Sequence, residues 1–288
     1  MSKAQYVSVH GGHSGQFCNH ASDSLEEIVL AYVQKGFSWV GITEHAPGIS
    51  HELMYADQQA EGLTPELLYD QFGDYITECL RLKKKYRDQL TLYVAIEIET
   101  YSGYQSFVPH LVESFRPEYL VGSVHFVNDL NFDYSPEMYE RTAASVGGIE
   151  QLYEHYFDAQ FEMIESINPA VIGHFDLVRI FDHDYKGRLE KPAIRRKIIR
   201  NLELIKKRGT ILDFNLRALY KGATEPYISQ SILEMAKEME IAVVPGDDSH
   251  SVKSVGNYIE QGIDILEKMQ FDLSWQKPQL IAPDQPRP

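Results

Sequence analysis

The sequence predicts an α/β fold: a distorted seven-stranded (β/α)7 barrel, TIM-like, in a single domain. Three observations lead there. Short β-branched or aromatic runs alternate with longer amphipathic segments seven times along the chain, which marks a parallel sheet with crossover helices. No linker-like stretch divides the 288 residues, and no short-period repeat appears. With 43% hydrophobic residues, the chain is long enough for one large core. A doubly wound open sheet is the alternative arrangement of the same elements. The barrel is expected over residues 1–270, followed by a Pro-rich tail at 271–288 that runs over the surface or frays.

QYVSVH (5–10) reads as the first strand. A helix over 23–35 follows, with Ser22 or Ser24 as cap, acids in its first turn and Gly36 as its stop. FSWVGIT (37–43) is the second strand. TPELL opens a helix near Thr64, with Pro65 suited to the first helical position, and the helix runs to about Arg87. LTLYVAIEIE (90–99) and EYLVGSVHF (118–126) are the third and fourth strands, with helices at 105–115 and 149–166. AVIGHF (170–175), TILDFN (210–215) and IAVVPGDD (241–248) complete the seven. Helices are expected at 190–208, 229–239 and 251–269. The loops 46–63 and 127–148 show no readable pattern.

Charge and cysteine content exclude several functions. The net charge is −15, which disfavours nucleic acid as a partner because phosphate backbones demand Lys and Arg. The basic runs RLKKKYR and KPAIRRKIIR read as exposed helix faces. No run is apolar enough to span a bilayer, so no membrane is expected as a partner. MSKAQYVSVH lacks a signal-peptide pattern. Two cysteines, Cys18 and Cys79, are too few for a disulfide framework and point to a reducing, cytoplasmic setting.

The chemistry-bearing residues gather at strand ends. His10, with His13 and His20 just after, follows the first strand. Glu44 and His45 follow the second, and Glu97 and Glu99 end the third. His125 ends the fourth and His174 the fifth, with Asp176 close by. Asn215 and Arg217 follow the sixth; Asp247, Asp248 and His250 follow the seventh. In a parallel barrel these ends share one face, where such enzymes build their sites. Imidazole with carboxylate suits zinc, iron or manganese. Cys18 reads as a packing thiol rather than a ligand. His51, His110, His155 and His183 fit no metal pattern and read as surface or loop residues.

The pieces HGGHSGQFCNHA, TEHAP, AIEIETY, GSVHF, IGHFD and GDDSH, in that order, resemble the polymerase-and-histidinol-phosphatase (PHP) family, nearest to its histidinol-phosphate phosphatases. The resemblance covers roughly residues 6–260. It implies the seven-stranded barrel, three divalent metal ions and hydrolysis of a small phosphate ester. It places a two-metal bridging carboxylate at Glu97. By resemblance the first metal takes histidines of strand one, Glu97 and Asp248. The second takes Glu97, His125 and His174; the third takes His20, His45 and His250. The family's two histidines two apart are not intact here, since His10 and His13 are three apart. Either Gly11 and Gly12 let the backbone turn both inward, or Ser8 or Gly12 stands in for one of them.

Clustered divalent cations neutralise phosphoryl charge and acidify water. The remaining charge in flight calls for a guanidinium fork. LDFNLRALYKG resembles a family segment carrying a substrate-contacting arginine, which makes Arg217 the candidate, with Arg179 second. Asp176, Asp247, Glu44 and Glu99 are placed to orient imidazoles. L-Histidinol phosphate is the expected substrate, and another small ester such as a nucleotide or sugar phosphate the alternative. A C–N hydrolase on a related metal barrel would want a lysine bridge, and no strand end offers one. A non-catalytic metal-binding protein is hard to square with the retention of Glu97, Asp248 and His250.

Overall fold

The computed structural model describes residues 4–282. Seven strands run parallel: β1 (Val7–Ser8), β2 (Trp39–His45), β3 (Thr91–Ile98), β4 (Tyr119–Gly122) and, after a small antiparallel hairpin of β5 (Phe126–Val127) with β6 (Leu130–Asn131), β7 (Val171–Ile172), β8 (Ile211–Asn215) and β9 (Val243–Gly246). Their order in the sheet is β1-β2-β3-β4-β7-β8-β9. Chain order therefore equals sheet order, with none of the reversal that a doubly wound sheet requires. The two ends of the sheet meet. The Val9 amide donates to the Pro245 carbonyl (2.9 Å) and the Asp248 amide to the His10 carbonyl (2.9 Å). Ser8 Oγ adds a bond to Asp247 Oδ1 (2.5 Å). The sheet is a nearly closed barrel, as the sequence predicts.

Helices return the chain between strands: α1 (Leu25–Gln34), α2 (Ala56–Ala60), α3 (Pro65–Tyr86), α4 (Tyr104–Phe115), α5 (Pro136–Ser145), α6 (Ile149–Ile167), α7 (Tyr185–Leu189), α8 (Pro192–Arg208), α9 (Arg217–Tyr220), α10 (Gln230–Glu238) and α11 (Ile259–Lys268). The start signals act as read. Ser24 and Glu27 form a reciprocal capping box on α1, and Gly36 follows it with φ of +73°. Thr64 Oγ1 accepts from the Leu67 amide (3.3 Å), and Pro65 opens α3.

Two boundaries differ from expectation. β1 keeps only two ladder residues, because past Ser8 the chain leaves β2 and is held by β9 across the seam. The last helix starts at Ile259 rather than at 251. The Gly256 amide is taken by Asp247 Oδ2 (2.7 Å), and Tyr258 sits at φ of +62°, so the preceding residues form turns.

The barrel axis is filled by side chains. Tyr119 donates its hydroxyl to the Val9 carbonyl (2.7 Å). A Cβ on Gly41 would lie 1.5 Å from that hydroxyl, so only glycine fits there. At the same end, Trp275 Nε1 donates to the Gln5 carbonyl (2.7 Å) and the Ile281 amide to the Glu118 carbonyl (2.7 Å). Residues 271–282 thus cross the N-terminal ends of the strands. The last six residues, 283–288, lie outside the described part of the chain. With the floor packed and covered, the opposite, C-terminal face is where a site can form.

Candidate metal centre

Glu97 stands at the middle of that face, fully buried near the end of β3. Its two oxygens face different partners. Oε2 lies 3.3 Å from His10 Nε2, 3.6 Å from His13 Nε2 and 3.2 Å from His45 Nδ1. Oε1 lies 2.9 Å from His174 Nε2 and 3.5 Å from His125 Nε2, and accepts from Ser123 Oγ (2.6 Å). One carboxylate therefore divides two imidazole nests. Asp248 Oδ1 completes the first, 3.4 Å from His13 Nε2.

The irregular His10-Gly-Gly-His13 stretch brings both imidazoles in. A Cβ on Gly11 would lie 2.3 Å from the Gly41 carbonyl oxygen, and one on Gly12 would lie 2.5 Å from Ile28 Cγ2. The two glycines let the chain press against β2 and α1, which turns His13 back toward Glu97. Ser8 is bonded to Asp247 and the His10 carbonyl instead, so it stands in for neither histidine.

Outer carboxylates orient the rings. Asp213 Oδ2 is 2.9 Å from His10 Nδ1 and accepts from the His174 amide (3.2 Å) and Asn215 Nδ2 (2.9 Å). Glu44 Oε1 is 3.1 Å from His13 Nδ1. Glu99 is 2.8 Å from His125 Nδ1 and 3.1 Å from His45 Nδ1, and accepts from Tyr55 (2.8 Å). His174 and Asp248 hold φ of +22° and +43°, strained for residues with a Cβ. The His174 amide donates to the Asp213 carboxylate and the Asp248 amide to the His10 carbonyl, which pins both residues there.

The electrostatics follow from this crowding. Burial pushes Glu97 up, yet the imidazoles of His10, His45 and His125 hold it well below the usual carboxylate range. Glu99 is likewise buried, and His125 and His45 bring it down to about 2. Burial lowers His13 and His125, but the carboxylates win: the nearby charges of Asp248 and Glu44 raise His13 to about 9, and Glu99, Asp133 and Glu97 raise His125 to about 10. His250 goes the other way, well below its ordinary value, through burial and the Arg217 and His13 charges.

The donor set fits metal ions. His10 Nε2, His13 Nε2 and His45 Nε2 are buried and form no hydrogen bond. An unpaired buried ring nitrogen is costly, and those of His10 and His13 lie beside Glu97. Glu97, His125 and His174 offer ligand atoms within 4.8 Å of one another, as do His10, His13 and Glu97. The expected third group is looser. His20 lies 5.3 Å from His45 and 5.1 Å from His250, ring centre to ring centre, and its Nδ1 faces Asp57 Oδ2 at 3.4 Å. Buried Cys18, read as a packing thiol, lies within 4.8 Å of ligand atoms of His13, His45 and His250.

The two arginines part company. Arg217 opens α9, donates from one guanidinium nitrogen to the Asp248 carbonyl (2.9 Å), and lines a cavity of about 220 Å³ with His45, Glu97, His125, His174 and His250. Arg179 does not line that cavity. It is buried behind Tyr227, bonded to Asp176 (3.1 Å) and to the carbonyls of Glu225 (3.1 Å) and Pro226 (2.5 Å). Contrary to expectation, Arg179 is no phosphoryl contact; with Asp176 it fastens the 225–229 segment.

Asp176 and Asp247 also depart from expectation. Asp176 holds Arg179 and Ser229, and Asp247 holds Ser8, Tyr32 and Gly256; neither touches an imidazole. His51, His110, His155 and His183 are exposed, as predicted. Sequence reasoning passed over Asp213, Tyr55 and Ser123. Asp213 had a signal, lying two residues before Asn215 on β8, so that both point inward. Tyr55 and Ser123 had none.

Known proteins resemble this chain over most of its length. The PHP domain model matches residues 11–217. A Schizosaccharomyces pombe protein named "Probable histidinol-phosphatase" is 35% identical over 258 residues, covering 88% of this chain and 83% of that one. The Bacillus subtilis histidinol-phosphatase is 29% identical, covering 83% and 92%. The crystal structure of Lactococcus lactis histidinol phosphate phosphatase, complexed with zinc, L-histidinol and phosphate, shares the fold: TM-score 0.71 and 18% identity over 92% of this chain and 94% of that one. A family model that matches the stretch from the two-glycine turn to Arg217, together with relatives aligned over most of their own length, means that this chain belongs to the PHP domain family.

Proposed function

We propose that the chain is a metal-dependent phosphatase that hydrolyses L-histidinol phosphate to L-histidinol and phosphate. The observation that carries the reading is Glu97, with one oxygen toward each of two imidazole nests, beside Arg217 in one cavity. The names of the relatives support the substrate.

Three divalent ions, of zinc, iron or manganese, are proposed. His10, His13, Glu97 and Asp248 would hold one, Glu97, His125 and His174 a second, and His20, His45 and His250 a third. Bound there, such ions supply Lewis-acid stabilisation of phosphoryl charge and acidification of water. The protein's own groups do the rest. Arg217, on the cavity wall, grips the phosphoryl oxygens and matches the charge that develops on them. Asp213, Glu44 and Glu99 hold Nδ1 of His10, His13 and His125, which leaves Nε2 of each of these rings toward Glu97. The buried, unpaired thiols of Cys18 and Cys79 support a reducing, cytoplasmic setting. Residues 1–270 would carry this chemistry, with 271–288 as a tail.

The test is a hydrolysis screen of purified, metal-analysed protein across phosphate monoesters. Histidinol phosphate should be the best substrate by kcat/KM. A clear preference for a nucleotide or sugar phosphate would replace the substrate, and metal-independent hydrolysis would end the reading.

A further inference from the structure

We infer that Asp133 is the counter-charge for a cationic leaving group, so that the cavity selects phosphate monoesters of amino alcohols. This rests on the phosphatase reading above and assigns its selectivity to a residue outside the metal nests.

The cavity lining contains three carboxylates. Glu97 and Asp248 face imidazoles at the floor. Asp133 stands apart, on the segment that follows the β5–β6 hairpin, partly exposed. Its Oδ1 accepts from Asn131 Nδ2 (2.9 Å). No ion pair among the described residues neutralises it, although Lys221 lines the same cavity. Asn131 is itself buried. It also donates to the His125 carbonyl (3.3 Å), and its Oδ1 accepts from the Tyr134 amide (3.1 Å). The Asp133 carboxylate is thus held in place from behind, with its other oxygen left for a ligand.

The cavity carries charges of both signs. Arg217 and Lys221 suit the phosphoryl end. Asp133 and the rings of Tyr55, Tyr134 and Tyr227 line the same cavity and are offered to the leaving group. An ammonium or imidazolium satisfies both, through a charge-assisted hydrogen bond and aromatic faces. A neutral leaving group would leave Asp133 desolvated without a partner, which is the stronger source of discrimination.

The experiment compares the parent protein with Asp133→Asn and Asp133→Glu on histidinol phosphate, ethanolamine phosphate and phenyl phosphate. The parent should prefer the two cation-bearing esters. In Asp133→Asn the kcat/KM ratio of histidinol phosphate to phenyl phosphate should fall about tenfold or more, mainly through KM, at matched metal content, which is measured because Asp133 also acts on His125. Asp133→Glu should restore part of it. Loss shared equally by all three esters, or no loss, would overturn the inference and make Asp133 a structural residue. A parent inactive on histidinol phosphate but selective for ethanolamine phosphate would change the proposed substrate and keep the role of Asp133. A parent with no preference for cationic esters would remove that role.

Discussion

Glu97 concentrates more of the site than any other side chain. Both of its oxygens are committed, and five imidazoles surround it. Changing Glu97→Gln keeps the shape and removes the charge. The variant should lose at least one equivalent of bound metal and should lose turnover by more than the roughly 10–100-fold that removal of an outer partner costs. Metal analysis with steady-state kinetics checks this; full metal content with near-normal turnover would move the bridging role to Glu99. Arg217 is the second residue on which the mechanism turns. Arg217→Ala should lower kcat/KM by roughly 10–100-fold, the range of a lost hydrogen bond to a charged group. Arg217→Lys should recover part, since charge returns without the fork. Inorganic phosphate should inhibit the parent more than Arg217→Ala. Metal content must be measured alongside, because Arg217 also holds the Asp248 carbonyl. Equal inhibition of parent and variant by phosphate would place Arg217 outside the phosphoryl site.

Between elements, charge also joins α1 to α3. Glu26 on α1 bonds Lys85, Arg81 and Tyr86 of α3, and Lys85 followed by Arg81 holds its carboxyl down at about 2. A depressed folded pKa stabilises above the unfolded value near 4.5, and that contribution is lost as pH falls toward 2. The charged groups are exposed, so solvent and salt screen the interaction and it contributes little. Glu26→Gln should lower the Tm by about 2 °C or less at neutral pH and low salt. The difference should shrink at pH 3 and in ~1 M salt. A difference that survives both would mean packing, not charge. Elements also show where local signals run out. α3 was legible because Thr64-Pro65 starts it and its apolar period continues for six turns. The β5–β6 hairpin, with two residues in each strand, is too short for any period to register. α5 carried a Ser135-Pro136 start, with Ser135 Oγ accepting from the Met138 amide (3.3 Å), but it sits in a stretch read as loop.

For the whole molecule, the buried charge at the top of the barrel ties stability to metal. A ligand that binds only the folded state adds RT ln(1 + [L]/Kd), about 4 kcal/mol at a thousandfold excess over Kd. Chelated protein should therefore melt at least about 4 °C lower than loaded protein and recover when zinc is returned. Calorimetry on both forms checks it, and an unchanged Tm together with unchanged activity would sink the metal reading. The seven alternations, the helix starts and the histidines and carboxylates at strand ends were all legible along the chain. Each of these is a local pattern of period, cap or position along a strand. Folding alone brings His10 and His13 together on one oxygen of Glu97, lets Asp213 brace His10 from 203 residues away, turns Arg179 from the cavity and brings Asp133 into it. Those outcomes depend on which surfaces meet when the barrel closes. Side chains far apart in sequence are then forced into one buried volume, where each needs a partner of the right charge, and no window along the chain contains both members of such a pair.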